Sequence, residues 1–155
     1  MATYLLDTSI LLGYLRSARY AEYVEKKYAP TKSPNAAVTS IVCIGELHSF
    51  EIRRKWGNER VAALHALKRQ IPAVPIAHPS VVRLFAEIDA YRKGQHPRLL
   101  HSGPSIDMSH NDIWIAATAS ALKATLLTMD RDFTFLNGVL LDVVLIDQTL
   151  TADDA

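Results

Sequence analysis

The sequence predicts a single α/β domain: a mostly parallel central sheet of about five short strands, flanked by helices. Three observations predict it. Short apolar runs of strand length alternate with longer stretches in which apolar residues recur at helical spacing. The chain holds 155 residues, enough for one domain that buries roughly 70% of its unfolded surface. No internal repeat, low-complexity tract or linker divides it, so residues 1–155 read as one unit, with about the last six, 150–155, as a tail.

Thr3–Leu6 reads as a short buried strand. Residues 9–29 follow as one helical run, with Leu11, Leu12, Leu15, Tyr20, Tyr23 and Val24 on a shared stripe. Pro30 and the "TKSPN" stretch break it. "AAVTS" is a brief second strand, and Thr39 or Ser40 caps a helix expected to reach Trp56. Gly57 is then a stop and Asn58 a cap for the helix "ERVAALHALKRQ". "IPAVPIA", with two prolines, suits a strand at the sheet edge. Pro79 and Ser80 start the next amphipathic helix, and residues 94–109 form the one long loop. "HNDIWIAATASALK" is an alanine-rich helix able to approach a sheet closely. "ATLLTMD" and "LDVVLID" are the last two strands, separated by "RDFTFLNG".

Composition narrows the function. Hydrophobic residues make up 49% and charged residues 21%, as in ordinary globular chains. No apolar run approaches the roughly 18 residues of a membrane span, and a secretory leader is not expected where Asp7 interrupts the first apolar stretch. The single cysteine, Cys43, excludes an internal disulfide and fits a reducing cytoplasm. Seventeen Lys and Arg against sixteen Asp and Glu leave a net charge of +1, so any nucleic-acid contact must come from local patches.

The acidic residues carry the chemistry. Asp7 ends the first strand inside an apolar stretch, where a carboxylate is costly unless it caps a helix or faces a cation. Glu46 shares an apolar helix face with Val42, Cys43 and Phe50, so it needs a partner or a route to water. Asp112 stands three residues after Ser109 in a capping-box pattern that also suits a purely structural role. Asp130 ends the fourth strand on the same side as Thr128, and Asp132 follows in a turn that could use either aspartate. If these acids converge, they repel strongly unless a divalent cation joins them. An oxygen-only set selects a hard ion, Mg²⁺ or Mn²⁺, the kind that serves phosphodiester cleavage.

"LLDTSILL", "TSIVCIGEL", "NDIWIAATA" and "LLTMDRDF" resemble, in order, the four acidic motifs of the PIN-domain nucleases. Within them, the short chain is similar to the VapC-type toxins of toxin–antitoxin pairs. The resemblance covers Leu5 to Phe133. It implies a Mg²⁺- or Mn²⁺-dependent endoribonuclease acting on single-stranded or loop RNA, and a cognate antitoxin that plugs the site. By position it implies Asp7, Glu46, Asp112 and Asp130 as the acidic cluster, with Asp132 a further or water-mediated ligand. Thr8, Asn111, Arg98 and Thr128 are candidate substrate contacts or supports for the ligands.

Other residues invite other readings. Basic clusters stand at Arg53–Arg54–Lys55, Lys68–Arg69 and Arg92–Lys93. Arg98 lies in the long loop, where loops commonly control access. His96, His101 and His110 fit no tetrahedral zinc spacing, though His110 sits near enough to Asp112 to touch a substrate. The tyrosines of the first helix and the segment from Phe50 to Trp56 offer more aromatic surface than a small core requires, which suggests a homodimer and an antitoxin docking face. A haloacid-type phosphatase wants a carboxylate at the position of Ser9. A receiver-like Mg²⁺-binding module wants paired acids after the first strand and a lysine after the last. A PIN-like module that binds RNA without cutting it is the remaining alternative.

Overall fold

The computed structural model describes residues 1–150, so the expected tail lies, but for Leu150, outside the described residues. Five strands form one sheet: β1 (Thr3–Leu6), β2 (Ala36–Ser40), β3 (Ala73–Val74), β4 (Thr125–Thr128) and β5 (Asp142–Leu145). All adjacent pairs are parallel, in the order β3-β2-β1-β4-β5. The short apolar runs therefore became a wholly parallel sheet, whose C-terminal strand ends share one edge. The central strand β1 supplies Leu5 and Leu6, both fully buried. Strand order reverses between β1 and β4, and such a switch point opens a crevice beyond the strand ends.

Six α-helices connect these strands: α1 (Thr8–Arg16), α2 (Ala18–Lys27), α3 (Ile41–Arg53), α4 (Asn58–Gln70), α5 (Pro79–Arg92) and α6 (His110–Ala121). The run expected as one helix is two. Ser17 takes an extended backbone, donates its N–H to the Gly13 carbonyl, and accepts the Tyr20 N–H on its hydroxyl. A serine that satisfies both a helix end and a helix start is a break that apolar spacing does not reveal.

Smaller differences have similar causes. α3 stops at Arg53, short of Trp56, because Lys55 adopts a left-handed backbone (φ 51°) and the chain closes on itself there. Gly57, not Asn58, precedes α4, without a side-chain cap. His78 caps α5 by accepting the Ser80 N–H, so Pro79 is the first helical residue. The proline-rich third strand shrinks to two residues, at the edge as expected. "RDFTFLNG" contains a 3-10 helix, Arg131–Leu136, between β4 and β5.

The long loop 94–109 has no regular element but is tied to the end of α5. Arg92 and Ile106 exchange main-chain contact through the Ile106 N–H, and the Arg92 guanidinium donates to the Ile106 carbonyl. His96 is buried, and its Nδ1 accepts the N–H groups of Arg98 and Leu99. His101 meets the Arg92 carbonyl and the edge of Tyr91. These histidines organise the loop. Tyr20 and Tyr23 are buried core residues, so the aromatic surplus expected of the first helix shrinks to half-buried Tyr14 and Tyr28.

Candidate active site

The β1–β4 register builds the centre of the site. Leu6 lies beside Leu127, and the Asp7 N–H continues the ladder to the Leu127 carbonyl. Asp7 therefore emerges next to Thr128, whose hydroxyl donates to Asp7 Oδ2. Its Oδ1 accepts from the Ser9 hydroxyl at 2.6 Å and from the Ile10 N–H at 3.2 Å, which caps α1. Asp7 is thus both cap and site residue. It is only 4% exposed. Burial pushes its carboxyl up to about 6, against the three hydrogen bonds that favour the anion, and the nearby Asp130 charge pushes the same way.

Thr128 is the joint between two aspartates. Its Oγ1 accepts the Asp130 N–H at 2.9 Å while its proton goes to Asp7. Asp130 in turn caps the 3-10 helix through the Asp132 N–H at 2.9 Å. Asp132 itself is exposed. Ser9 adds a second link, since its oxygen also accepts the Met129 N–H at 2.9 Å. Both hydroxyls bond across the switch point, so the strand ends are fixed relative to one another. The Ser9 role went unread in the sequence, although its place two residues after Asp7 is the available signal.

Glu46 is half-buried on α3 and finds its partner in Thr8, whose hydroxyl donates to Oε1 at 2.7 Å. Asp112, also half-buried, lies in the first turn of α6, whose cap is Ser109, accepting the Asp112 N–H at 3.1 Å. Burial raises the Asp112 carboxyl above its ordinary value. The Ser109 hydrogen bond works against this, and the negative charges of Asp130, Glu46 and Asp132 add to it. Asp112 therefore feels acids from α3, the end of β4 and the turn beyond. Among the described residues, no three of these side chains stand at metal-ligand spacing; Asp7 and Glu46 are held by local hydroxyls and Asp130 by the Asp132 amide. The donors nonetheless fit a hard divalent ion in kind: they are carboxylate oxygens, with no sulfur or imidazole among them.

Two clefts flank these acids. One, of ≈ 490 Å³, is lined by Glu46, Ser49, Phe50, Arg53 and Asn111. The other, of ≈ 670 Å³, is lined by Ser9, Arg16, Asp130, Arg131, Asp147 and Gln148, among others. Asn111, a candidate substrate contact, lines the same cleft as Glu46. Arg98 is exposed in the loop organised by His96 and lines neither cleft. His110 packs edge-on against Phe85, which overlaps Trp114.

The PIN domain family model matches residues 4–137. A comparison with curated proteins gives no match. Among solved structures, the chain is similar to VapBC2 from Rickettsia felis bound to a promoter DNA fragment. That likeness has a TM-score of 0.71 at 19% identity over 94% of this chain and 99% of that one. FitAcB from Neisseria gonorrhoeae gives 0.68 at 20% identity, covering 96% and 100%. VapBC-1 from nontypeable Haemophilus influenzae gives 0.66 at 21% identity, covering 96% and 99%. At such identities the likeness is one of fold.

Proposed function

This chain belongs to the PIN-domain family, and from that membership we propose that it is a metal-dependent endoribonuclease, the toxin of a toxin–antitoxin pair. One observation carries the reading. Asp7 and Asp130 follow neighbouring parallel strands, Glu46 and Asp112 come from two helices, and burial raises the Asp112 carboxyl, with the charges of Asp130 and Glu46 adding to it. Structural carboxylates gain nothing from such mutual repulsion, whereas a divalent cation relieves it.

Asp7, Glu46, Asp112 and Asp130 are the residues to hold Mg²⁺ or Mn²⁺, with Asp132 as an outer contributor. Once bound, such an ion polarises the scissile phosphate and makes an attacking water more acidic. The chain's own residues do the rest. Thr128 and Ser9 hold the Asp7 carboxylate in place, and Thr8 does the same for Glu46. Asn111, at the mouth of the Glu46 cleft, can donate to a phosphate or ribose oxygen of an RNA strand. Thr8 and Thr128 support ligands, and Arg98 is a more remote RNA contact.

The similar solved structures are named as VapBC complexes, which supports a cognate antitoxin as partner. Self-association into a homodimer, and antitoxin docking along α1–α2 and the segment from Phe50 to Trp56, remain part of the proposal. Sedimentation at micromolar concentration tests the dimer, which a strict monomer excludes. No described helix is long and apolar enough to cross a membrane, and a cytoplasmic RNA target is the matching proposal, with residues 1–155 acting as one domain.

The test pairs wild type with Asp112→Asn on single-stranded RNA. Wild type should cut in Mn²⁺ and stop in EDTA, while the variant should stay folded and lose cleavage. Cleavage that persists in EDTA, or in the variant, removes the metal mechanism. Asparagine serves a helix start about as well as aspartate, so a structural role alone predicts little change.

A further inference from the structure

Two clefts open at the two ends of one chain of bonds, which runs from Glu46 through Thr8 and its neighbour Asp7 to Thr128 and the Asp130 amide. Glu46 lines one cleft and Asp130 the other. Each cleft carries arginine close to the acids: Arg53 on the Glu46 side, Arg16 and Arg131 on the Asp130 side. None of the three forms an ion pair among the described residues, although carboxylates line both clefts. We propose that the two clefts are the arms of one track for a single RNA strand, with Arg53 holding a phosphate on one side of the cut and Arg16 and Arg131 on the other. This rests on the nuclease reading and adds to it the strand's path and the residues that grip it.

The geometry favours a single strand over a duplex. Asp7 and Asp130 follow strand ends while Glu46 projects from α3, so a chain passing from the cleft of ≈ 490 Å³ to that of ≈ 670 Å³ runs along these acids. A-form duplex is met across a wide, shallow groove and does not thread such a path. Arg53 is already oriented: its guanidinium lies 4.7 Å from the Phe50 ring centroid, and its Nε donates to Ser49 Oγ at 3.1 Å. Arg54 lies 4.6 Å from the same ring, so guanidinium groups flank Phe50 and this arm grips by charge rather than by base stacking. In the other arm, Asp147 Oδ1 is engaged by the Thr149 N–H and hydroxyl. Arg131, at the start of the 3-10 helix, also acts on Asp147 through its charge but makes no ion pair with it, and both it and Arg16, at the end of α1, are exposed cations lining the cleft with Asp130. A track held by phosphate contacts tolerates many sequences.

The test is the salt dependence of binding, by fluorescence anisotropy, to a labelled single-stranded oligoribonucleotide of about twelve nucleotides in Ca²⁺ and in EDTA. Arg16→Ala, Arg131→Ala and Arg53→Ala should each flatten the plot of log affinity against log salt by about 0.7, and the double variant Arg16→Ala/Arg131→Ala by about twice that. Arg83→Ala, on the exposed face of α5, should leave the slope unchanged. Circular dichroism confirms that each variant is folded. Unchanged slopes in the three cleft variants, alongside normal Mn²⁺-dependent cleavage, overturn the track and leave the nuclease reading standing. A duplex of the same length binding as tightly and with the same slope also overturns it. A wild type that neither binds nor cuts RNA overturns both.

Discussion

Thr128 shows how much one hydroxyl can hold. It is fully buried, donates to Asp7 and accepts from the Asp130 amide, so it sets the spacing of two proposed ligands. Thr128→Val keeps the shape but strands a buried carboxylate oxygen and an amide. It should cost about 1–3 kcal/mol in denaturant melts and lower cleavage more than binding. A variant as stable and active as wild type would show the bond to be idle. Asp7 makes a second prediction, concerning pH. Its carboxyl is raised from 3.8 to about 6, so the folded state holds a proton that the unfolded chain has released. The stability from this is full below pH 4 and is lost as pH rises through about 6, a cost near 3 kcal/mol for the anion. Asp7→Asn has no such charge and still caps α1. In EDTA, the variant should therefore out-melt wild type above pH 6 and converge with it towards pH 4. Equal melting curves at every pH would remove the argument.

At the scale of elements, the join between α1 and α2 is the most sensitive packing. A Cβ on Gly13 would stand 2.7 Å from two Tyr20 ring carbons and 2.9 Å from the Met129 methyl. Alanine is the better helix former by about 1 kcal/mol, yet overpacking against a buried ring costs about 1–3 kcal/mol. Gly13→Ala should therefore destabilise on balance, and a raised denaturant midpoint would contradict this. The same join marks a limit of what was legible in the sequence. Strand positions, helix faces and the four acidic stretches could be read from period and chain order. The break at Ser17 could not, because a cap in mid-run leaves the apolar stripe intact. The loop was legible as a loop, but its internal bonds were not: His96 accepts two main-chain amides on its ring, a contact with no spacing signature. Asp7 was ambiguous between cap and site for a physical reason: it is a cap here and sits at the site as well.

For the molecule as a whole, the proposed cation should relieve the repulsion that Asp130, Glu46 and Asp132 exert on Asp112. A ligand that binds only the folded chain raises its stability by mass action. Millimolar Mn²⁺ should thus raise the melting temperature of wild type by several degrees, equivalent to about 2–3 kcal/mol at a hundredfold excess over the dissociation constant. Asp112→Asn should show little or none of that rise while melting in EDTA no lower than wild type, since one repelling charge is gone. An equal rise in both would place the ion elsewhere. The order of the strands carries a further consequence, for the newborn chain. Asp7 directly follows β1, but the hydroxyl that sets it comes 121 residues later, at the end of β4. Any polypeptide interrupted before that point lacks Thr128 and Asp130 together. On the nuclease reading such fragments should not cut RNA, and activity should arise only once β4 has joined β1.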